Sequence, residues 1–176
     1  MEEIRVNRLP AITWRYLHVN DSPDQFEFPG NSASAVFSDK RYVSEGGTLP
    51  TDFCGASAET LAAAEKGQAY TVIIPENTEA ELTISITAEE DRPDFAGCFI
   101  FKLEKGAKLK LIWRLSGDRK HSVFATASSY ELMENAVLSV SYLETGLPAS
   151  SLYEQRYAVL GNEAKLDFVS AELCGA

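Results

Sequence analysis

Four segments of the chain share one pattern, and the pattern recurs at an almost fixed interval. They are Ile74–Leu82, Leu103–Leu111, Leu132–Val140 and Leu160–Phe168; taking Thr78, Ala107, Ala136 and Ala164 as equivalent, the offsets are 29, 29 and 28 residues. Each segment opens on an apolar residue (Ile74, Leu103, Leu132, Leu160) and passes through a polar tetrad rich in Asn, Gly and Glu. Residues of that kind favour tight turns. Apolar side chains then alternate: Ala80, Leu109, Leu138 and Leu166 stand two positions after the small residue, and Leu82, Leu111, Val140 and Phe168 four after. Ile84, Trp113, Tyr142 and Ser170 stand six after. A period of two kept in register from repeat to repeat means strands with one buried face.

Alternation in repeats of this length fits either successive coils of a parallel β-solenoid or hairpins of an antiparallel sandwich. In a solenoid, equivalent residues of adjacent coils lie about 4.8 Å apart, so like residues stack inside and charges pair outside. The outward columns place Glu79 beside Lys108 and Glu81 beside Lys110. Opposite charges on neighbouring strands attract, which favours the coil. Each coil then has a strand after the tight turn (79–87, 108–115, 137–144, 165–172) and a looser connection (88–97, 116–120, 145–150). A second strand leads back to the next turn (98–103, 121–132, 151–160). Both readings are all-β.

The chain has 176 residues, enough for one domain that buries roughly 70% of its unfolded surface. Its net charge of −10 repels phosphate backbones and anionic lipid, which disfavours nucleic acid and membrane as partners. No apolar run approaches the ~18 residues of a spanning helix. The start, Met1-Glu2-Glu3-Ile4-Arg5, carries acids where a signal peptide needs bases, so a cytoplasmic protein is expected. Cys54, Cys98 and Cys174 form no Cys-x-x-Cys pair, and an odd number cannot all pair within one chain; in a reducing compartment they are free thiols.

Catalytic signatures are missing. No glycine begins a dinucleotide or P-loop phosphate cradle, and Gly55-Ala56-Ser57-Ala58-Glu59 only half matches a nucleophile elbow. The two histidines, His18 and His121, have no second ligand at metal-binding spacing. No metal site and no catalytic residue is predicted, and the chain is not expected to be an enzyme.

Upstream of the repeats the character changes. Ser57 can cap a helix over about 58–66, with Glu59 in the first turn, Lys66 in the last and Gly67 at the C′ position. Pro10 suits the first turn of another helix, with Ile12, Tyr16 and Leu17 as an apolar stripe ending near Asn20-Asp21-Ser22-Pro23. Residues 24–55 mix Phe26, Phe28, Val36 and Phe37 with Gly and Pro, which predicts irregular structure with short strands. Residues 1–69 are therefore read as a cap or flank, and 70–176 as the coils.

The opening stretch Val6-Asn7-Arg8-Leu9-Pro10-Ala11-Ile12-Thr13-Trp14-Arg15-Tyr16-Leu17-His18-Val19-Asn20 resembles the N-R-L-P-x-x-T-W-x-x-L-x-x-N start of SufD-like proteins of the SufB/SufD family. Phe101–Leu109 and Leu160–Leu166 are similar to the turn-and-strand units of that family's right-handed parallel β-helix. The resemblance implies a non-catalytic scaffold subunit of the SUF iron–sulfur cluster assembly system. In that system SufB and SufD pair through their β-helices, and the ATPase SufC docks on helical segments near their C-termini. No resident cofactor is implied; an iron–sulfur cluster passes only transiently through the full complex. Family members run well beyond this length, while these residues end at Cys174-Gly175-Ala176 inside the repeat, so the match is to the N-terminal portion of the family. The later coils and C-terminal helices, which carry the family's interface cysteine and histidine, have no counterpart, and no functional residue is carried over.

Two other classes stay open: a carbohydrate-active β-helix enzyme, which needs carboxylates clustered on adjacent coils, and a β-sandwich binding module. The outward columns alternate Glu with Lys instead, and Glu89-Glu90-Asp91 reads as a solvated loop. Cys98, just before Phe99-Ile100-Phe101, reads as a small buried thiol at a strand start, and Cys54 as the best candidate for an accessible one. Cys174 sits where a next coil would cover it, His121 in a turn, and His18 at a helix end. Trp14, Trp113 and Tyr142 read as core, the last two stacked coil on coil. The unpaired last coil predicts self-association through residues near 165–176.

Overall fold

A computed structural model describes residues 2–6, 22–26, 30, 32–51, 57–117, 122–146 and 151–173. In chain order the elements are β1 (Glu2–Val6), β2 (Ser22–Phe26), β3 (Ala35–Phe37), β4 (Val43–Glu45), α1 (Ala58–Glu65), β5 (Gln68–Ile74), β6 (Glu79–Ala88), β7 (Phe95–Leu103), β8 (Lys108–Gly117), β9 (Val123–Leu132), β10 (Val137–Thr145), β11 (Ser151–Leu160) and β12 (Lys165–Leu173). The helix expected from Pro10 lies outside the described residues. β1 and β2 pair antiparallel.

The remaining strands form two five-stranded sheets, ordered β12-β10-β8-β6-β3 and β11-β9-β7-β5-β4, and coil as an all-β parallel solenoid of about three turns. The register is that of the repeat. Leu109 pairs with Ala80 on one side and Leu138 on the other, and Leu138 pairs with Leu166. In-register stacking at this near-constant interval of 29, 29 and 28 residues means that each backbone donor finds the equivalent acceptor one coil away. Even the turns stack this way: the Asn77 amide donates to Lys105 O, that of Gly106 to Glu134 O and that of Asn135 to Asn162 O. The third turn position is left-handed in every coil, at Asn77, Gly106, Asn135 and Glu163, with φ between 53° and 68°. β6, β7, β8, β10 and β12 run one to three residues longer than the alternation predicts, β11 matches its predicted bounds, and β9 starts two residues later; β7 starts at Phe95, which places Cys98 inside a strand.

Between the sheets lies a continuous apolar core. Phe95, Phe99, Phe101 and Phe124 from one sheet and Leu82, Ile84, Leu111 and Leu115 from the other are fully buried. The outer face of the β5-β7-β9-β11 sheet is covered in turn by α1, which buries Ala64, Cys98, Ile100 and Ala127 together. Ser57 caps this helix by accepting from the Thr60 amide, as its sequence predicts. Gly67 follows the Lys66 C-cap, at the C′ position that its sequence predicts. Its φ is not positive, and an added Cβ would lie 2.1 Å from Ala96 O, so close approach of α1 to β7 requires the glycine. Gln155 on β11 ties the helix down, its Nε2 donating to Ser57 O at 3.1 Å and to the Thr60 hydroxyl.

The two ends of the coil differ. β3 pairs antiparallel with β6, and β4 antiparallel with β5, so residues upstream of α1 block both sheet edges of the first rung. Edge strands of this kind, short and antiparallel, stop further pairing. At the other end β11 and β12 pair only with β9 and β10 among the described residues.

Candidate functional site

The inward columns change chemistry toward the last described rungs. On one sheet, Tyr70, Phe99, Ser128 and Arg156 occupy successive rungs, and beside them Gln68, Gly97, Thr126 and Glu154. On the other, Ile84 and Trp113 give way to Tyr142 and Ser170, and Ile86 and Leu115 to Glu144 and Glu172. Columns that are apolar in the first rungs therefore carry charge in the last two, where Glu144 is buried, Glu154 partly buried, and Arg156 and Glu172 exposed.

Glu154 and Arg156, two apart on β11, share a face and form an ion pair. The Arg156 guanidinium lies 4.2 Å from the ring centroid of Phe168 and 5.1 Å from that of Tyr142, so it bridges two rungs by cation–π attraction. Thr126 Oγ1 stands 3.5 Å from the Glu154 carboxylate. Burial pushes the Glu154 carboxyl up from its ordinary range; Arg156 pulls it down, and Glu172 adds a further upward push. Tyr142, 4% exposed, has a hydroxyl with no hydrogen bond of normal geometry although Glu154 lies beside it; burial, and next the carboxylate charge, push its ionisation far above the usual tyrosine range. Glu144 is 6% exposed and engaged within the fold.

Around these charged columns the rim is apolar. Val159, Leu160, Val169 and Leu173 are 48%, 47%, 67% and 63% exposed, and Leu166 and Phe168 are half-buried.

Of the other sequence candidates, Cys98 lies apart from this cluster. Cys98 is buried beneath α1, and desolvation pushes its thiol up to about 12, with Glu65 adding to the rise. A thiol so placed is neither nucleophile nor ligand. Cys54, Cys174, His18, His121 and Trp14 lie outside the described residues. Trp113 and Tyr142 are core residues on adjacent rungs, with ring centroids 6.4 Å apart. The predicted outer pairs form: Lys108 with Glu79, and Lys110 Nζ 3.1 Å from Glu81. A groove of about 340 Å³ is lined in part by Pro50, Ile100, Lys102, Ser129, Glu131 and Tyr157, with Lys102 and Glu131 paired at 3.6 Å. No group of three His, Cys, Asp or Glu among the described residues could hold a metal ion. No helix among them is long and apolar enough to cross a membrane.

The charged end itself escaped the sequence reading, although one signal was present. Extending the repeat columns to the eighth position gives Ile86, Leu115, Glu144 and Glu172, an inward column that turns acidic over its last two rungs. No protein-family model matches the chain, and neither a curated protein nor a solved structure does.

Proposed function

We propose that this chain is a non-catalytic scaffold subunit, SufD-like in kind, of the SUF iron–sulfur cluster assembly system. It acts in the cytoplasm by associating with a SufB-like subunit and, through the complex, with a SufC-like ATPase. The iron–sulfur cluster is cargo of that complex and not a resident cofactor of this chain.

The observation that carries the reading is the fold itself: the chain coils as an all-β parallel solenoid, the architecture that the sequence resemblance at Val6–Asn20 implies. A solenoid of this kind suits association with a second solenoid through its strands, and the resemblance supplies the identity of that second solenoid.

Co-expression of this chain with a SufB-like subunit and the SufC ATPase, followed by affinity purification and size exclusion, tests the proposal. Co-elution with the SufB-like subunit is the expected result. Absence of association with that subunit, or turnover of a polysaccharide by the chain, would overturn it.

A further inference from the structure

Asp94, half-buried just ahead of β7, gathers three stretches of chain that are far apart in sequence. Its carboxylate accepts from two backbone amides, that of Gly30 at 3.0 Å through Oδ2 and that of Val123 at 3.0 Å through Oδ1. Its carbonyl accepts from the amides of Ser32 at 2.9 Å and Ala33 at 2.7 Å, and its own amide donates to the Ser32 hydroxyl at 3.2 Å. One residue thus ties residues 30–33 to the starts of β7 and β9. Hydrogen bonds to a carboxylate are of the stronger kind.

Downstream of Gly30 runs the segment that blocks the first rung. β3 and β4 are three residues long, against seven and ten for the strands β5 and β6 that they cover. Between β3 and β4 the polar groups bond locally, Arg41 donating to the Asp39 carboxylate through its backbone amide at 2.9 Å and through its guanidinium. The buried apolar side chains of the segment are Ala33 and Phe37. Short edge pairing and little burial mark a part of a fold that opens before the rest.

We propose that residues 30–45 are a strap that opens as one unit, ahead of the coil, and that Asp94 is its clasp. The strap crosses both sheets, with β3 along β6 and β4 along β5, so a single opening bares two strand edges together. Free strand edges accept an added strand, and the strap therefore decides whether the first rung can take one. This device goes beyond the scaffold reading and does not depend on it.

Native-state hydrogen exchange of the whole chain, followed residue by residue by NMR, is the test. Four amides report the strap: Ser32, Ala33, Ser38, which donates to Thr83 O, and Ile73, a β5 amide that donates to Tyr42 O. Lys108 and Val137, which donate to Thr78 O and Ala107 O, report the coil. In the wild-type chain the four strap amides are expected to share one opening constant, larger than that of the coil pair by at least about tenfold. In Asp94→Asn the side-chain NH2 faces one of the two backbone donors, and that bond is lost. Exchange of the strap amides is expected to rise by at least about tenfold, while Lys108 and Val137 stay within about twofold. Ser32→Ala removes only the hydroxyl that Asp94 N donates to; it is expected to speed the same four amides, and it gives an independent answer should Asp94→Asn fail to fold. Strap and coil amides sharing one opening constant in the wild-type chain would overturn the strap. An equal rise at all six amides, or no rise at any, would overturn the clasp.

Discussion

The ring of Phe99 meets the indole of Trp113 edge to face, with centroids 4.6 Å apart and planes at 85°, and through this contact the two sheets of the solenoid touch across the core. Both residues are buried, and each also touches an aromatic ring of its own sheet: Tyr70 and Phe95 for Phe99, Tyr142 for Trp113. Such a contact adds to the burial that holds the layers together. Phe99→Ala leaves a cavity that stacked, hydrogen-bonded rungs cannot close. It is expected to cost about 3–5 kcal/mol, read as a lower urea midpoint at unchanged slope. A loss below about 1 kcal/mol would show that the rungs relax independently.

The four tight turns differ in how well their residues suit a left-handed backbone. Asn77, Gly106 and Asn135 tolerate it, whereas Glu163 at φ 57° does so at a steric cost. Glu163→Asn is therefore expected to raise stability by about 0.5–1 kcal/mol. Gly106→Ala acts in the opposite sense, because φ is 68° and the new Cβ would stand 2.5 Å from Asn77 Oδ1. Thermal denaturation of the two variants should move the midpoint in opposite directions.

Beneath α1 the Cys98 thiol, pushed up to about 12, is almost wholly protonated at ordinary pH. Iodoacetamide at about pH 8 is expected to leave Cys98 unmodified in the folded chain and to modify it in guanidinium, as mass spectrometry of its peptide reports. Rapid modification in the folded state would mean that α1 opens.

The raised carboxyl of Glu154 has a definite sign in the pH dependence of stability. Its folded state holds the proton more readily than the unfolded chain does. Its stabilising contribution is full below the ordinary value of 4.5 and is lost as pH rises through the higher folded value. Asp39, Glu59 and Glu79, each lowered by a hydrogen-bonded neighbour, contribute the opposite way and lose their contribution as pH falls. Comparing wild type with Glu154→Gln cancels those three. The wild-type advantage in urea midpoint is expected to shrink as pH rises above the ordinary value of 4.5. A constant difference would show that Glu154 keeps its ordinary titration in the fold.

Reading the columns from sequence worked best on β6, β8, β10 and β12. There only one face is buried, so apolar and polar residues alternate and the interval of 28 to 29 residues is itself the register. On β7 and β9 both faces are buried, one by the core and one by α1 or the surrounding segments, and nearly every residue is buried. Period two disappears there, and with it any hint that the equivalent positions of β11 carry Glu154 and Arg156 inward. Gly67 stands at the C′ position that its sequence predicts, but its second role, the close approach to Ala96, depends on a neighbour brought near only by folding.

By itself, then, the sequence determined that the chain coils, and which residue lies on which, because a parallel stack repeats one spacing and any reader of that spacing has the pairing. Tertiary structure alone decided what blocks the first rung and which neighbours cover each side chain. Blocking by β3 and β4, the hold of Gln155 on α1, and the burial of Tyr142 all depend on residues distant along the chain, and burial is a property of neighbours, not of any residue's own type.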